Sequence, residues 1–188
     1  MSDIRNIIDL IESKSKSKEL ELEKLPYGRG ALAPVMSQST VNYHYGKLAK
    51  GYVDRYNKNE GDKSFNEAGA FLHNIFFTQL RSPRNNNRPG SMSRTLIDSK
   101  WGNFEDFKSQ VKKQALGLQG SGWVYMARNG EIKVIRNHSI KRDIALLIDM
   151  WEHAYNLDYA SDKSKYIDNL WRIIDWEVIN HRLTGSAV

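Results

Sequence analysis

The sequence predicts an α+β fold: an antiparallel helical hairpin in its first half, then an α/β half built on a three-stranded antiparallel sheet. Three observations predict it. Apolar residues recur at helical spacing on both sides of a short polar link near residues 57–63. Asn129-Gly130, a hairpin signal, lies between the β-rich runs Trp123 to Ala127 and Ile132 to Ile135. A third apolar run, Ile144 to Ile148, has strand length and ends against Asp149.

Composition bounds the possibilities. The 188 residues are 40% hydrophobic and 11% aromatic, enough to bury a real core. There is no cysteine, which excludes disulfides, thiolate metal sites and cysteine nucleophiles. No stretch approaches the roughly 18 uninterrupted apolar residues that span a bilayer, and no signal peptide is recognised, so the expected location is cytoplasmic or another intracellular soluble compartment. The net charge of +6, from 28 basic and 22 acidic residues, attracts anions of many kinds. The basic clusters Lys14 to Lys18, Arg81 to Arg94 and Lys133 to Arg142 accompany no nucleic-acid motif and are read as solvated loops and faces.

The elements follow in order. In residues 1–22, Ile4, Ile7, Ile8 and Ile11 recur at helical spacing before the Lys14-Ser15-Lys16-Ser17-Lys18 run. This predicts an amphipathic extension and linker, with self-packing or a protein partner as its two uses. Residues 23–95 form the expected hairpin domain. Ser37 is the N-cap of a helix running to about Asn57, and a second helix runs from about Ser64 to Leu80. Arg81 to Gly90, with its prolines and asparagines, is a loop. Residues 96–188 form the expected C-terminal domain: a helix from Asn103 to Leu118, the three strands, and a closing helix from Lys163 to Leu183 carrying Trp171 and Trp176.

Four of the five histidines and one aspartate bear on chemistry. His44 and His73 fall on the two hairpin helices, where antiparallel packing can turn them toward each other. Asp149 and His153, four residues apart, follow the third strand. Three imidazoles with one carboxylate leave a coordination position open, a set suited to iron or manganese and also to zinc. Taken singly, a histidine on a helix is more often a hydrogen-bonded core or surface residue than a ligand; the joint case reverses this.

Asp149-Met150-Trp151-Glu152-His153-Ala154-Tyr155 is the most specific segment. With Tyr43-His44-Tyr45-Gly46-Lys47, His73 and Gly120-Ser121-Gly122-Trp123, it resembles the iron/manganese superoxide dismutase family, over roughly Leu25 to Leu183. The resemblance implies one iron or manganese ion per subunit on His44, His73, Asp149 and His153, and superoxide as substrate. It implies Tyr52 at the substrate funnel and Trp123 and Trp151 in the wall of the metal pocket. Gly69 stands where some members carry a glutamine, so His138 is the implied hydrogen-bond partner of metal-bound solvent. Glu152 and Tyr155 match residues that bridge two subunits of a homodimer, and Lys163 falls near a basic funnel position.

The chain departs from the family at defined places. Leu48 replaces a histidine that meets the partner's tyrosine, Phe71-Leu72 replaces a Trp-Asn pair, and Phe77 replaces a tryptophan. Metal binding is therefore expected to survive better than fast turnover. The alternative function is a structural or assembly module that keeps the metal as a staple. Zinc-dependent hydrolysis is a weaker third reading, because no glutamate is placed as a general base.

Overall fold

The computed structural model describes residues 19–185. The isoleucine stripe at residues 4–11 lies outside them. Residues 19–22, read from sequence as linker, lie along the hairpin instead: the Leu20 N–H and C=O both bond the Asn57 side chain, and Asn74 receives the Glu23 N–H and donates to the Glu21 carbonyl.

The hairpin forms as expected. Ser37 caps its first arm by accepting from the Thr40 N–H at 3.1 Å. That arm is not uniform: α1 (Gln38–Tyr43) passes into a π-helical segment, His44–Ala49, before α2 (Lys50–Asn57) resumes. The wider π turn begins at a buried histidine, the kind of place where π segments concentrate. Asn59 and Gly61, both at positive φ, turn the chain, and Asp62 caps α3 (Lys63–Thr78) by accepting from the Phe65 N–H at 2.9 Å.

Beyond the loop comes a helix that the sequence reading passed over, α4 (Ser91–Trp101). Its four hydroxyl residues, Ser91, Ser93, Thr95 and Ser99, lower its intrinsic propensity, and Gly90 at its N-cap offers no side-chain bond. Asn180 on the last helix compensates, its Oδ1 accepting the Ser93 N–H at 2.8 Å. α5 (Phe104–Gly117) then starts at Asn103, which accepts from the Asp106 N–H.

The sheet is antiparallel in the order β2-β1-β3, from β1 (Gly122–Ala127), β2 (Ile132–Arg136) and β3 (Ile144–Asp149). Gly130 takes φ +83 in the predicted turn, which glycine tolerates without cost. Register places Trp123 opposite Ile135 on one side and Asp149 on the other. Helix α5 packs on β1 and β2, whereas α3 packs on β3, so the hairpin half meets the sheet half along the strand that ends in Asp149. One hydrophobic core runs through both halves, from Leu32 and Phe76 to Trp123, Leu147 and Ile179.

The closing helix is broken. A 3₁₀ turn (Glu152–Ala154) and a four-residue helix, α6 (Asn156–Tyr159), precede α7 (Lys163–Leu170), then a 3₁₀ turn (Trp171–Ile173) and α8 (Trp176–Leu183). The interruption has local causes. Ile174 is extended and bridges to Leu80, Asn87 Nδ2 donates to the carbonyls of Trp171 and Ile174, and Asp175 begins a fresh cap by accepting from the Glu177 N–H.

Gln79, fully buried after α3, ties the halves together. Its Oε1 accepts the Leu147 N–H at 3.0 Å and Arg182 Nη1 at 3.1 Å, and its amide donates to the Leu147 carbonyl. Gln79→Leu leaves both backbone groups of Leu147 buried without partners. A loss of about 2–4 kcal/mol is expected, read by denaturant unfolding. A change below about 0.5 kcal/mol would mean that water or rearrangement replaces the amide.

Candidate metal centre

Each of the four sequence-predicted ligands arrives from a different local geometry, and the fold brings them to one point. His44 opens the π segment, and His73 lies midway along α3. Asp149 is the last residue of β3, and His153 sits in the 3₁₀ turn that follows. Asp149 Oδ2 is 3.0 Å from His44 Nε2, 3.5 Å from His153 Nε2 and 3.8 Å from His73 Nε2. The four candidate ligand atoms all lie within 4.8 Å of one another. His44, His73 and Asp149 are wholly buried, and the His153 side chain is 14% exposed.

These side chains are aimed by their other atoms. His73 Nδ1 donates to the Gly69 carbonyl at 2.6 Å, which leaves Nε2 with its lone pair facing the cluster. Asp149 Oδ1 accepts the Trp151 N–H at 2.8 Å, and Tyr166 donates to the Asp149 carbonyl at 3.0 Å, so only Oδ2 faces inward. The three inward Nε2 atoms and Asp149 Oδ2 are buried and none has a partner in hydrogen-bonding geometry. Leaving such groups unsatisfied costs about 1–3 kcal/mol each. A cation at their common point satisfies all four at once. Three nitrogens and one oxygen, with no sulfur, suit iron or manganese.

Charge follows the same logic. Burial holds the His44 and His73 imidazoles below their ordinary range, and for His73 the neighbouring His44 adds to this, so both rings are neutral and able to ligate. Burial pushes the Asp149 carboxyl up, but the close imidazoles of His153 and His44 outweigh it and hold the group far below the usual carboxylate range. One negative charge therefore sits beside the neutral imidazoles of His44 and His73.

The remaining predicted residues stand around this cluster. Trp123 meets the His73 ring edge-on at 5.0 Å, and Trp151 stacks on His153 at 5.7 Å and on His138 at 4.5 Å. Phe76 and Phe77 close the far side of His44 at 5.6 and 4.8 Å. Tyr52 lies against the His73 ring at 5.3 Å, and its hydroxyl is 3.0 Å from His138 Nε2. Trp123 Nε1, which can only donate, bonds His138 Nδ1 at 3.2 Å. Neutral His138 therefore carries its proton on Nε2 and donates it to the Tyr52 oxygen, which frees the phenolic hydrogen to point elsewhere. Burial lowers His138 to about 4, keeping it neutral, and burial with the Asp149 charge raises Tyr52 to about 12, keeping it protonated.

Gly69 shows why no larger residue stands there. A Cβ at this position would lie 2.8 Å from the Tyr52 ring, inside contact distance of a rigid group. Glu152 is exposed beside the cluster, whereas Tyr155 is buried within its own chain, only 5% exposed against Tyr166, with Lys163 Nζ 5.8 Å from its ring centroid.

Sequence reasoning missed Phe65 and Tyr166. Phe65 touches Tyr52, His138 and Trp151, and its spacing from Gly69 and His73, four residues each, was a helix-face signal available to find it. Tyr166 gave no such signal, because its hydrogen bond to Asp149 depends on tertiary approach alone.

Comparison with known proteins agrees with this geometry. The family model described as the iron/manganese superoxide dismutase alpha-hairpin domain matches residues 19–63, and that of the C-terminal domain matches residues 89–182. An iron superoxide dismutase of Bacteroides fragilis is 34% identical over 87% of this chain and 98% of its own length. A manganese/iron superoxide dismutase of Porphyromonas gingivalis is 36% identical over 86% and 98%. The iron enzyme of Escherichia coli K12 is 29% identical over 88% and 98%. With both halves matched and relatives aligned over nearly their full length, the chain belongs to the iron/manganese superoxide dismutase family.

Proposed function

We propose that this chain converts two superoxide ions and two protons into dioxygen and hydrogen peroxide at one iron or manganese ion held by His44, His73, Asp149 and His153. The observation that carries the reading is the convergence of four buried, unpartnered ligand atoms on one point. Iron or manganese, when bound, supplies the one-electron couple that takes an electron from one superoxide and returns it to another.

The chain's own residues supply the rest. Three imidazoles and one carboxylate would balance the ion's charge without overcompensating it. Trp123, Trp151, Phe76 and Phe77 exclude bulk water from the ligands and so hold their hydrogen-bonding fixed. Trp123 sets the His138 tautomer, His138 donates to Tyr52, and the Tyr52 hydroxyl is left to offer its hydrogen toward a substrate oxygen. A metal kept only as a structural staple has no use for this donor chain, so the assembly-module alternative is not favoured.

We extend the proposal to a two-fold dimer through the face carrying Glu152. A cavity of about 480 Å³ there is lined by Tyr43, Trp151, Glu152, His153 and Leu157, and Tyr43 and Leu157 are large apolar side chains left 40% and 58% exposed. A second copy would cover them and shield His153 from solvent. An intracellular soluble location belongs to the same proposal, since a chain without cysteine gains nothing from an oxidising compartment. No helix among the described residues is long and apolar enough to cross a membrane.

Elemental analysis of protein purified without added metal is expected to give near-stoichiometric iron or manganese, together with superoxide-dependent peroxide formation. His73→Ala and Asp149→Ala are expected to abolish both. Metal without turnover would reinstate the staple reading, and zinc as the only tightly held metal would reopen hydrolysis.

Gly69→Ala forces the Tyr52 ring away from His138. Turnover is expected to fall on the order of tenfold with metal content unchanged, measured by pulse radiolysis beside elemental analysis. Unchanged turnover would remove Tyr52 from proton delivery.

Sedimentation equilibrium is expected to give twice the chain mass for the wild type and the single-chain mass for Leu157→Asp. A wild-type monomer would end the dimer proposal.

A further inference from the structure

Away from the metal centre lies a second cavity, of about 630 Å³, whose lining includes no residue of the metal cluster or of the Tyr52–His138 pair. Among the described residues its charge is one-sided: Arg128, Lys141, Arg142 and Arg182 face it, against the single carboxylate of Glu23. Arg128 follows β1 and Arg142 precedes β3, and the two loops are stitched together where the Arg128 N–H donates to the Asp143 carbonyl at 2.8 Å. The nearby Asp143 carboxylate does not neutralise them, because it is engaged by Lys133 and the Tyr125 hydroxyl. Among the described residues, Arg128, Lys141 and Arg142 make no ion pair, and all three are exposed.

Arg182 forms the buried back of this cavity, with 6% exposure. Its guanidinium is held rigidly by Gln79 Oε1 at 3.1 Å, the carbonyls of Ala145 and Ile75 at 3.1 and 2.9 Å, and Thr78 Oγ1 at 3.2 Å. Every one of these acceptors is neutral. Among the described residues no carboxylate pairs with this guanidinium, and a buried charge without a counterion is costly. Burial, with a smaller contribution from the Arg128 charge, pulls the Arg182 guanidinium down to about 10. Phe71 on α3 and Ile144 at the start of β3 add apolar surface to the lining.

We propose that this cavity binds an organic phosphate of mononucleotide size, its phosphates among Arg128, Lys141 and Arg142 and its planar body against Phe71. The volume lies within the range of small-ligand pockets. Arginine forks pair with phosphate oxygens in bidentate fashion, lysine adds a mobile point charge, and Arg182 contributes a fixed field from behind. The inference does not rest on the redox reading, since it uses none of the metal-centre residues.

Calorimetric titration of the metal-loaded protein with ADP, at low and at raised salt, tests it. ADP is expected to bind with a salt-weakened affinity that exceeds that of inorganic phosphate by about tenfold or more. The exposed triple variant Arg128→Ala/Lys141→Ala/Arg142→Ala is expected to weaken ADP by at least about tenfold while leaving metal content and dismutation unchanged. Removing ion-paired charge elsewhere, with Arg88→Ala/Arg94→Ala, is expected to leave ADP affinity as it was. Absence of ADP binding, equal affinity in the triple variant, or equal weakening in the control pair would each overturn the site. Inorganic phosphate binding as tightly as ADP would overturn the organic-phosphate class.

Discussion

One constraint governs this molecule: four polar atoms from four separate segments are driven into a dry interior and left facing each other. Asp149 Oδ2 and the Nε2 atoms of His44, His73 and His153 have no hydrogen-bonding partner, and three of these side chains are wholly buried. Such a cluster opposes folding unless a cation satisfies it, because desolvation is borne by every member and mutual proximity repays little. Metal binding and folding are therefore linked, with the binding energy of the ion offsetting what the buried ligands cost. The hairpin, the sheet and the 3₁₀ turn need to meet only where the cluster lies.

The second layer makes that meeting rigid. Gln79 grips both backbone groups of Leu147, two residues before Asp149, so the hairpin half holds the very strand that carries the carboxylate. Tyr166 holds the Asp149 carbonyl from the C-terminal side, and the Trp151 N–H occupies Oδ1. Asp149 is thus positioned from three directions before any ligand approaches. His73 is treated likewise through the Gly69 carbonyl, and that choice explains a local trade. With a glycine at 69, the Tyr52 ring can pack where a side chain would otherwise stand, and the partner of the Tyr52 hydroxyl must come from elsewhere in the chain, as His138 does.

Much of this was legible in the sequence, for reasons that differ by element. Asp149 and His153 could be placed because a continuous apolar run ends at Ile148 and the acidic and aromatic neighbours form a specific string. The hairpin helices were legible from apolar period and from the cap at Ser37, whereas the Asp62 cap appears only in the structure. The π segment at His44–Ala49 was not, since it has the composition of ordinary helix and arises from what the ligand must reach. The helix Ser91–Trp101 was hidden by its hydroxyl residues and is supported by Asn180, distant in sequence. The break at Ile174 was equally invisible, because the bridge to Leu80 and the bonds from Asn87 come from the other half of the chain. Local pattern reveals what is decided locally. Elements decided by a partner nearly a hundred residues away leave only weak marks.

Charge teaches the same distinction more sharply. The longest basic stretch in the sequence, Arg81 to Arg94, has three of its four arginines near carboxylates once folded: Arg81 lies 3.7 Å from Asp175, Arg88 3.6 Å from Glu105 and Arg94 3.4 Å from Asp98. Arg128, the Lys141-Arg142 pair and Arg182 lie apart along the chain, yet they face one cavity that holds, among the described residues, a single opposing carboxylate. An anion approaching the protein therefore senses a distribution that no count along the sequence reports. Exposed charges farther apart than about 8–10 Å are screened at physiological salt, so attraction is exerted by local groups of unpaired cations and only weakly by the net charge. The surplus of +6 is better understood as a few uncompensated places than as a uniform coat.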